Sequence, residues 1–129
     1  MDQTEVDKIG ILGLAHVGDG VFELLTRTRL CQLGHTDARE LHRLTVAQVR
    51  AQAQAKAAEK IFPVLTEEEA AVFRRGRNAH VHAAPHNATV AEYHAATGLE
   101  ALFGWLYLQG RVERVEELFT TITEDRLCR

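Results

Sequence analysis

Apolar positions recur along this chain with a helical period almost throughout. Between about Ile9 and Leu33, one face holds Leu14, Val17, Val21, Leu24 and Leu25, and a second holds Ala15, Gly18 and Phe22. His16, Asp19, Glu23 and Arg27 line up as a single polar stripe between them. The pattern predicts a long, largely buried helix closed by Gly34, a residue suited to the left-handed position after a helix. Thr36 opens a short helix to Leu44. Thr45 and Gln48 spell a capping box for a helix reaching Phe62, where Pro63 stops it, and Thr66 with Glu69 repeats the device for a helix ending at Gly76. The stretch RNAHVHAAPHNA, Arg77 to Ala88, is predicted as an extended loop. Thr89 and Glu92 cap a helix to about Ala96, GLEALFGWLYLQG follows as the most buried helix, and RVERVEELFTTI closes the chain with an amphipathic one. Strict apolar/polar alternation is absent, so the expectation is an all-α fold. With no repeat or linker, residues 1–129 are expected to form one domain.

Composition narrows this picture. The 129 residues, 46% apolar, suffice for one core without staples. A net charge of −3 excludes attraction of nucleic acid by bulk charge, so any such binding falls to a local patch. Cys31 and Cys128 lie far apart with no metal-knuckle spacing, which fits a reducing, cytoplasmic setting. The start MDQTEVDKIG has no apolar leader, and the run Ala101 to Leu108 is too short to span a bilayer, so no membrane partner is expected.

Two carboxylates stand out against their helices. Asp19 sits between Gly18 and Gly20, and each glycine costs roughly 1 kcal/mol in a helix interior relative to alanine. What glycine offers in return is close approach by another backbone, another helix or an ion. Glu100 likewise projects from a run that is otherwise core. Two helices presenting Asp19 and Glu100 to one point would suit a hard divalent cation, which takes carboxylate oxygens and supports phosphodiester hydrolysis. The residues alone leave a second reading open, because Thr97-x-x-Glu100 also spells a capping box. Glu23 could pair with Arg27 one turn on. Arg74, Arg75 and Arg77 surround Gly76 at a helix end, a grouping suited to phosphate oxygens or to a solvated helix terminus. His80 and His82, with His86 and His94, could be read as a transition-metal set, but the extended loop gives them no patterned ligand spacing.

Read together, these segments resemble the ribonuclease III family. LAHVGDGVFELLTR is similar to its signature helix, and TGLEALFGWLYLQGR to its second carboxylate helix. FRRGRNA, PHNA and RAQAQAK resemble its short branch, Mini-ribonuclease III, which lacks a separate double-stranded-RNA-binding domain; the resemblance runs over about residues 10 to 119. It implies a Mg²⁺-dependent endoribonuclease, with Mn²⁺ as a substitute ion, that cleaves double-stranded RNA in the maturation of large-subunit ribosomal RNA. It also implies a symmetric homodimer, with a ribosomal protein as a helper that presents the RNA. Asp19 and Glu100 take the catalytic and metal-binding places, Glu23 a place beside them, and Arg74, Arg75, Arg77 and Asn78 the RNA-binding places. Ala15, Gly18 and Phe22 are expected at the dimer interface, where the glycine lets helices approach.

The chain departs from the family at several positions. Acidic residues of full-length ribonuclease III are replaced by Ala15 and Thr97, and another falls near Ala51 or Gln52. Fewer carboxylates predict weaker metal binding and one tightly held ion per site. HVHAAPH replaces the short branch's usual Lys and Ser, so RNA affinity is expected to rise as pH falls. The rival reading of a different class is a helical RNA-binding dimer without cleavage activity.

Overall fold

The computed structural model describes residues 1–79 and 88–127. Seven helices make up the described chain: α1 (Gln3–Asp7), α2 (Ile11–Gln32), α3 (Ala38–Val49), α4 (Ala51–Ile61), α5 (Glu67–Arg77), α6 (Val90–Leu108) and α7 (Val112–Leu127). A 3₁₀ turn, Phe62–Val64, links α4 to α5 where Pro63 ends the α-helical pattern. The described residues contain no strand, and no helix among them is long and apolar enough to cross a membrane.

Helix α6 is the axis of the fold because it is apolar nearly all round. Leu99, Ala101, Leu102, Phe103 and Leu106 are fully buried on it, and α2, α4, α5 and α7 pack around it. Burying each large apolar side chain contributes roughly 1.5–3 kcal/mol, which outweighs the propensity lost at Gly98 and Gly104. Both glycines serve close crossings instead. A Cβ on Gly98 would come within 2.7 Å of the Phe73 carbonyl oxygen on α5, and one on Gly104 would overlap the Leu14 carbonyl on α2. Phe22 of α2 then packs tilted against Phe103 of α6 and edge-to-face against Phe119 of α7, with ring centroids 5.7 and 5.8 Å apart.

The element boundaries depart from the sequence pattern in instructive places. No helix break separates Ala96 from Gly98: Thr97 donates its hydroxyl to the Tyr93 carbonyl (3.0 Å), as a residue inside a helix does. Thr97-x-x-Glu100 is therefore not a cap. Thr45 is likewise interior, because Leu41, Leu44 and Thr45 turn inward on one continuous α3; the break falls at extended Arg50, and Asp37 rather than Thr36 is the N-cap. Helix α5 runs past Gly76 to Arg77, since that glycine lies against Gly98 and Ala101 of α6 rather than ending the helix. Helix α1, which the apolar pattern does not reveal, is capped by Asp2 and held by buried Val6. Its Asp7 accepts from the indole nitrogen of Trp105 (3.2 Å).

The capping boxes at Thr66/Glu69 and Thr89/Glu92 form as expected, and Gly34 adopts φ +99° after α2. Glu69 does more than cap. It is 2% exposed and receives Nε and Nη2 of Arg114 at 2.9 and 2.8 Å, which ties α5 to α7. Burial pushes the Glu69 carboxyl up, but the Arg114 and Thr66 hydrogen bonds together bring it below its ordinary value.

Candidate active site

Helices α2 and α6 cross where neither has a side chain in the way. A Cβ on Gly18 would fall on the Glu100 carbonyl oxygen and reach within 2.9 Å of the Gly104 nitrogen, so the two backbones touch. That contact explains half of the Gly-Asp-Gly stretch: Gly18 permits the crossing, and the next residue, Asp19, comes within hydrogen-bonding reach of the Glu100 side chain. Gly20, by contrast, is exposed and meets no neighbour within 4 Å.

The dimer-interface expectation for Ala15, Gly18 and Phe22 is corrected by this geometry. All three are buried within the single chain, Gly18 against α6 and Phe22 among the rings of Phe103 and Phe119. Sequence periodicity marks a face as apolar without saying whether a second chain or the same chain covers it. The exposed side of α2 carries Leu12, His16, Asp19, Gly20, Leu24 and Arg27 instead; Leu24, expected on the apolar face, is 62% exposed.

Glu100 is half-buried, and its pKa is raised from 4.5 to about 8. Burial is the largest cause, followed by the hydrogen bond to Asp19 and its charge, while the Gln54 side chain acts in the opposite sense. At neutral pH the pair therefore holds a proton, because two carboxylates this close cannot both ionise without a cation nearby.

The donor set is two carboxylate groups, hard oxygen donors on rigid helices, one exposed and one half-buried, and this suits a small divalent ion that keeps several of its waters. Ala15 and Thr97, one turn before each carboxylate, are buried and carry no charge. Among the described residues no group of three or more His, Cys, Asp or Glu side chains converges on one point. Glu23 is turned toward Arg27 at 3.4 Å, with 41% of its side chain exposed, an ion pair worth about 0.3–0.5 kcal/mol.

Gln54 lies within the RAQAQAK segment, but the resemblance gives it no role at this site. It lies on α4, is 2% exposed, and its Nε2 has no hydrogen-bond partner among the described residues. A buried donor left unpaired costs about 1–3 kcal/mol. Its signal in the sequence is positional: Gln54 shares the inward face with Ala57, Ala58 and Ile61, where an apolar residue is the norm.

The arginines occupy the last turn of α5, where the helix dipole favours cations. The Arg74 guanidinium lies 5.4 Å from the Phe62 ring centre and that of Arg77 lies 5.8 Å from Phe73. Arg77 also donates to Asn78 Oδ1 at 3.5 Å, and Arg75 is exposed. Stacking on rings holds two of these side chains without neutralising them. Gly76 packs against Gly98 and Ala101 of α6, the helix that carries Glu100, so the arginine turn of α5 meets α6 close to the carboxylate pair. His80, His82 and His86 lie outside the described residues.

The chain is similar to known proteins over most of its length. The family model described as Ribonuclease III domain matches residues 12–111. The Mini-ribonuclease 3 of Symbiobacterium thermophilum is 48% identical over 107 residues, covering 83% of this chain and 82% of its own. That of Enterococcus faecalis is 44% identical, covering 83% of each. A crystal structure of a Fusobacterium nucleatum protein superposes with a TM-score of 0.84 at 30% identity, over 92% of this chain and 95% of that one.

Proposed function

Because the chain belongs to the ribonuclease III family, in its Mini-ribonuclease III branch, and is an endoribonuclease of that type, we propose that it hydrolyses double-stranded RNA at Asp19 and Glu100. The observation that carries the assignment is the backbone contact of Gly18 with Glu100, which brings two carboxylates together from different helices. Asp19 and Glu100 would hold Mg²⁺, with Mn²⁺ as a substitute, and an ion held there supplies positive charge to the phosphodiester and lowers the pKa of water. Water adds to phosphorus and passes a proton to solvent, while the bond to the 3′ oxygen breaks and that oxygen takes up a proton to leave as a hydroxyl. To hold an ion, Glu100 would have to give up the proton that the pair keeps at neutral pH.

Arg74, Arg75, Arg77 and Asn78 hold the duplex through its phosphates and shape rather than its base sequence. Two copies of the chain form a symmetric homodimer through the exposed side of α2, on which Leu12 and Leu24 are 45% and 62% exposed beside the unencumbered Gly20. Membership of the branch supports a precursor of large-subunit ribosomal RNA as the duplex, presented by a ribosomal protein, in the cytoplasm.

The test is cleavage of an end-labelled RNA duplex by purified protein with Mg²⁺ or with EDTA, beside Asp19→Asn and Glu100→Gln. Cutting that requires Mg²⁺ and vanishes in both variants, with helicity unchanged, is the expected result. Binding without cutting in the parent would instead favour a non-catalytic duplex-binding protein.

A further inference from the structure

Gln54 is 2% exposed and cannot touch a duplex lying on the surface, yet its side chain lies within reach of Glu100 and its Nε2 donor has no acceptor bonded to it. Helix α4 packs directly on α6, and the neighbour able to accept from this donor is the Glu100 side chain, on which Gln54 already acts. An apolar residue would fill the same inward position without leaving a polar group unpaired. Retaining an amide there makes sense for a group whose orientation depends on it.

We infer that Gln54 is a positioning residue, whose Nε2–H donates to the Glu100 carboxylate and fixes it beside Asp19. The inference rests on the reading of Asp19 and Glu100 as the ion-holding pair. Gln54 acts through Glu100, so its removal weakens ion binding in the absence of RNA, whereas a merely structural amide would affect only folding.

The experiment is calorimetric titration of Mn²⁺ into the RNA-free protein, for the parent, Glu100→Gln and Gln54→Met, each checked for helicity and thermal midpoint. Met preserves the bulk of Gln without its hydrogen bonds. The expected result is a dissociation constant raised about tenfold or more in Gln54→Met, the usual scale for residues that orient a ligand, with the thermal midpoint kept or raised. A folded Gln54→Met that binds Mn²⁺ within about twofold of the parent overturns the inference, and leaves the ion-holding pair standing if Glu100→Gln has lost binding. A parent that binds no Mn²⁺ overturns both. Should Gln54→Met fail to fold, the side-chain amide signal of Gln54 in ¹⁵N-labelled parent decides: a downfield shift of its proton under Mg²⁺ supports the donation, and an unmoved signal overturns it.

Discussion

Gly18 lies against the backbone carbonyl of Glu100, and the space left by its missing side chain sets the distance between the two carboxylates of the site. Gly18→Ala should therefore push α2 away from α6. The expected cost is about 1–3 kcal/mol or more from overpacking, with a cleavage rate that falls further than stability alone explains. Urea unfolding and duplex cleavage on the same preparation check both parts, and an alanine variant with parental activity would contradict the crossing.

Glu100 gives the pH dependence a definite sign. Its carboxyl titrates at about 4.5 in the unfolded chain and at about 8 in the folded one, so across that window the unfolded state releases a proton that the native state keeps. Stability contributed by this group is present in full below the lower value and is lost as pH rises through the upper. Glu100→Gln cannot ionise, so its stability should gain on the parent's between about pH 5 and about pH 8.5. Denaturant midpoints at the two pH values measure the gain, and saturating Mg²⁺ should shrink it by stabilising the parent.

The arginines at the end of α5 should be readable through salt. In an Asp19→Asn background that leaves the RNA intact, replacing Arg74, Arg75 or Arg77 with Ala should weaken duplex binding for any base sequence. Each loss should flatten the slope of log affinity against log salt concentration by about one. Filter binding over a range of KCl concentrations provides the test, and an unchanged slope would remove that arginine from the interface.

Arg114 should behave oppositely. Taking it away leaves the buried Glu69 carboxylate with its cap alone, and breaking a buried ion pair costs about 3–5 kcal/mol. Arg114→Met is expected to lower the thermal midpoint sharply while leaving the salt slope of RNA binding intact. A variant as stable as the parent would show that the α5–α7 tie contributes little.

Leu24 tests the proposed homodimer. At 62% exposure its replacement by Glu should leave the stability of a single chain within about 0.5 kcal/mol. Sedimentation velocity should nevertheless show the parent as a dimer and Leu24→Glu as a monomer. A dimeric Leu24→Glu would move the interface elsewhere.

The helical class, two of the capping boxes and the carboxylate pair were legible in the residues because each depends on local spacing or on a motif whose chemistry is explicit. What sequence spacing could not resolve was the meaning of small residues. Gly18 and Gly98 look alike as interruptions of a helix, yet both are contact points between backbones, and only the position of the neighbouring helix distinguishes a crossing from a stop. The same ambiguity sent Ala15 and Phe22 to an interface when their own chain buries them. Gln54 offered only a positional signal, because a glutamine in an Ala/Gln/Lys helix looks solvated until the fold turns it inward.

The crossing of α2 and α6 also fixes where this protein can afford to move. Amide hydrogens in the turns around Gly18 and Gly104 are enclosed by backbone on the facing helix, so their exchange with solvent deuterium requires the two central helices to part, which is unfolding of the whole domain. The carboxylates thus ride on the last segment of the chain to open. Whatever rearrangement accompanies capture and release of a stiff RNA duplex must then be made at the arginine rim and in the RNA itself, with the pair as the fixed point.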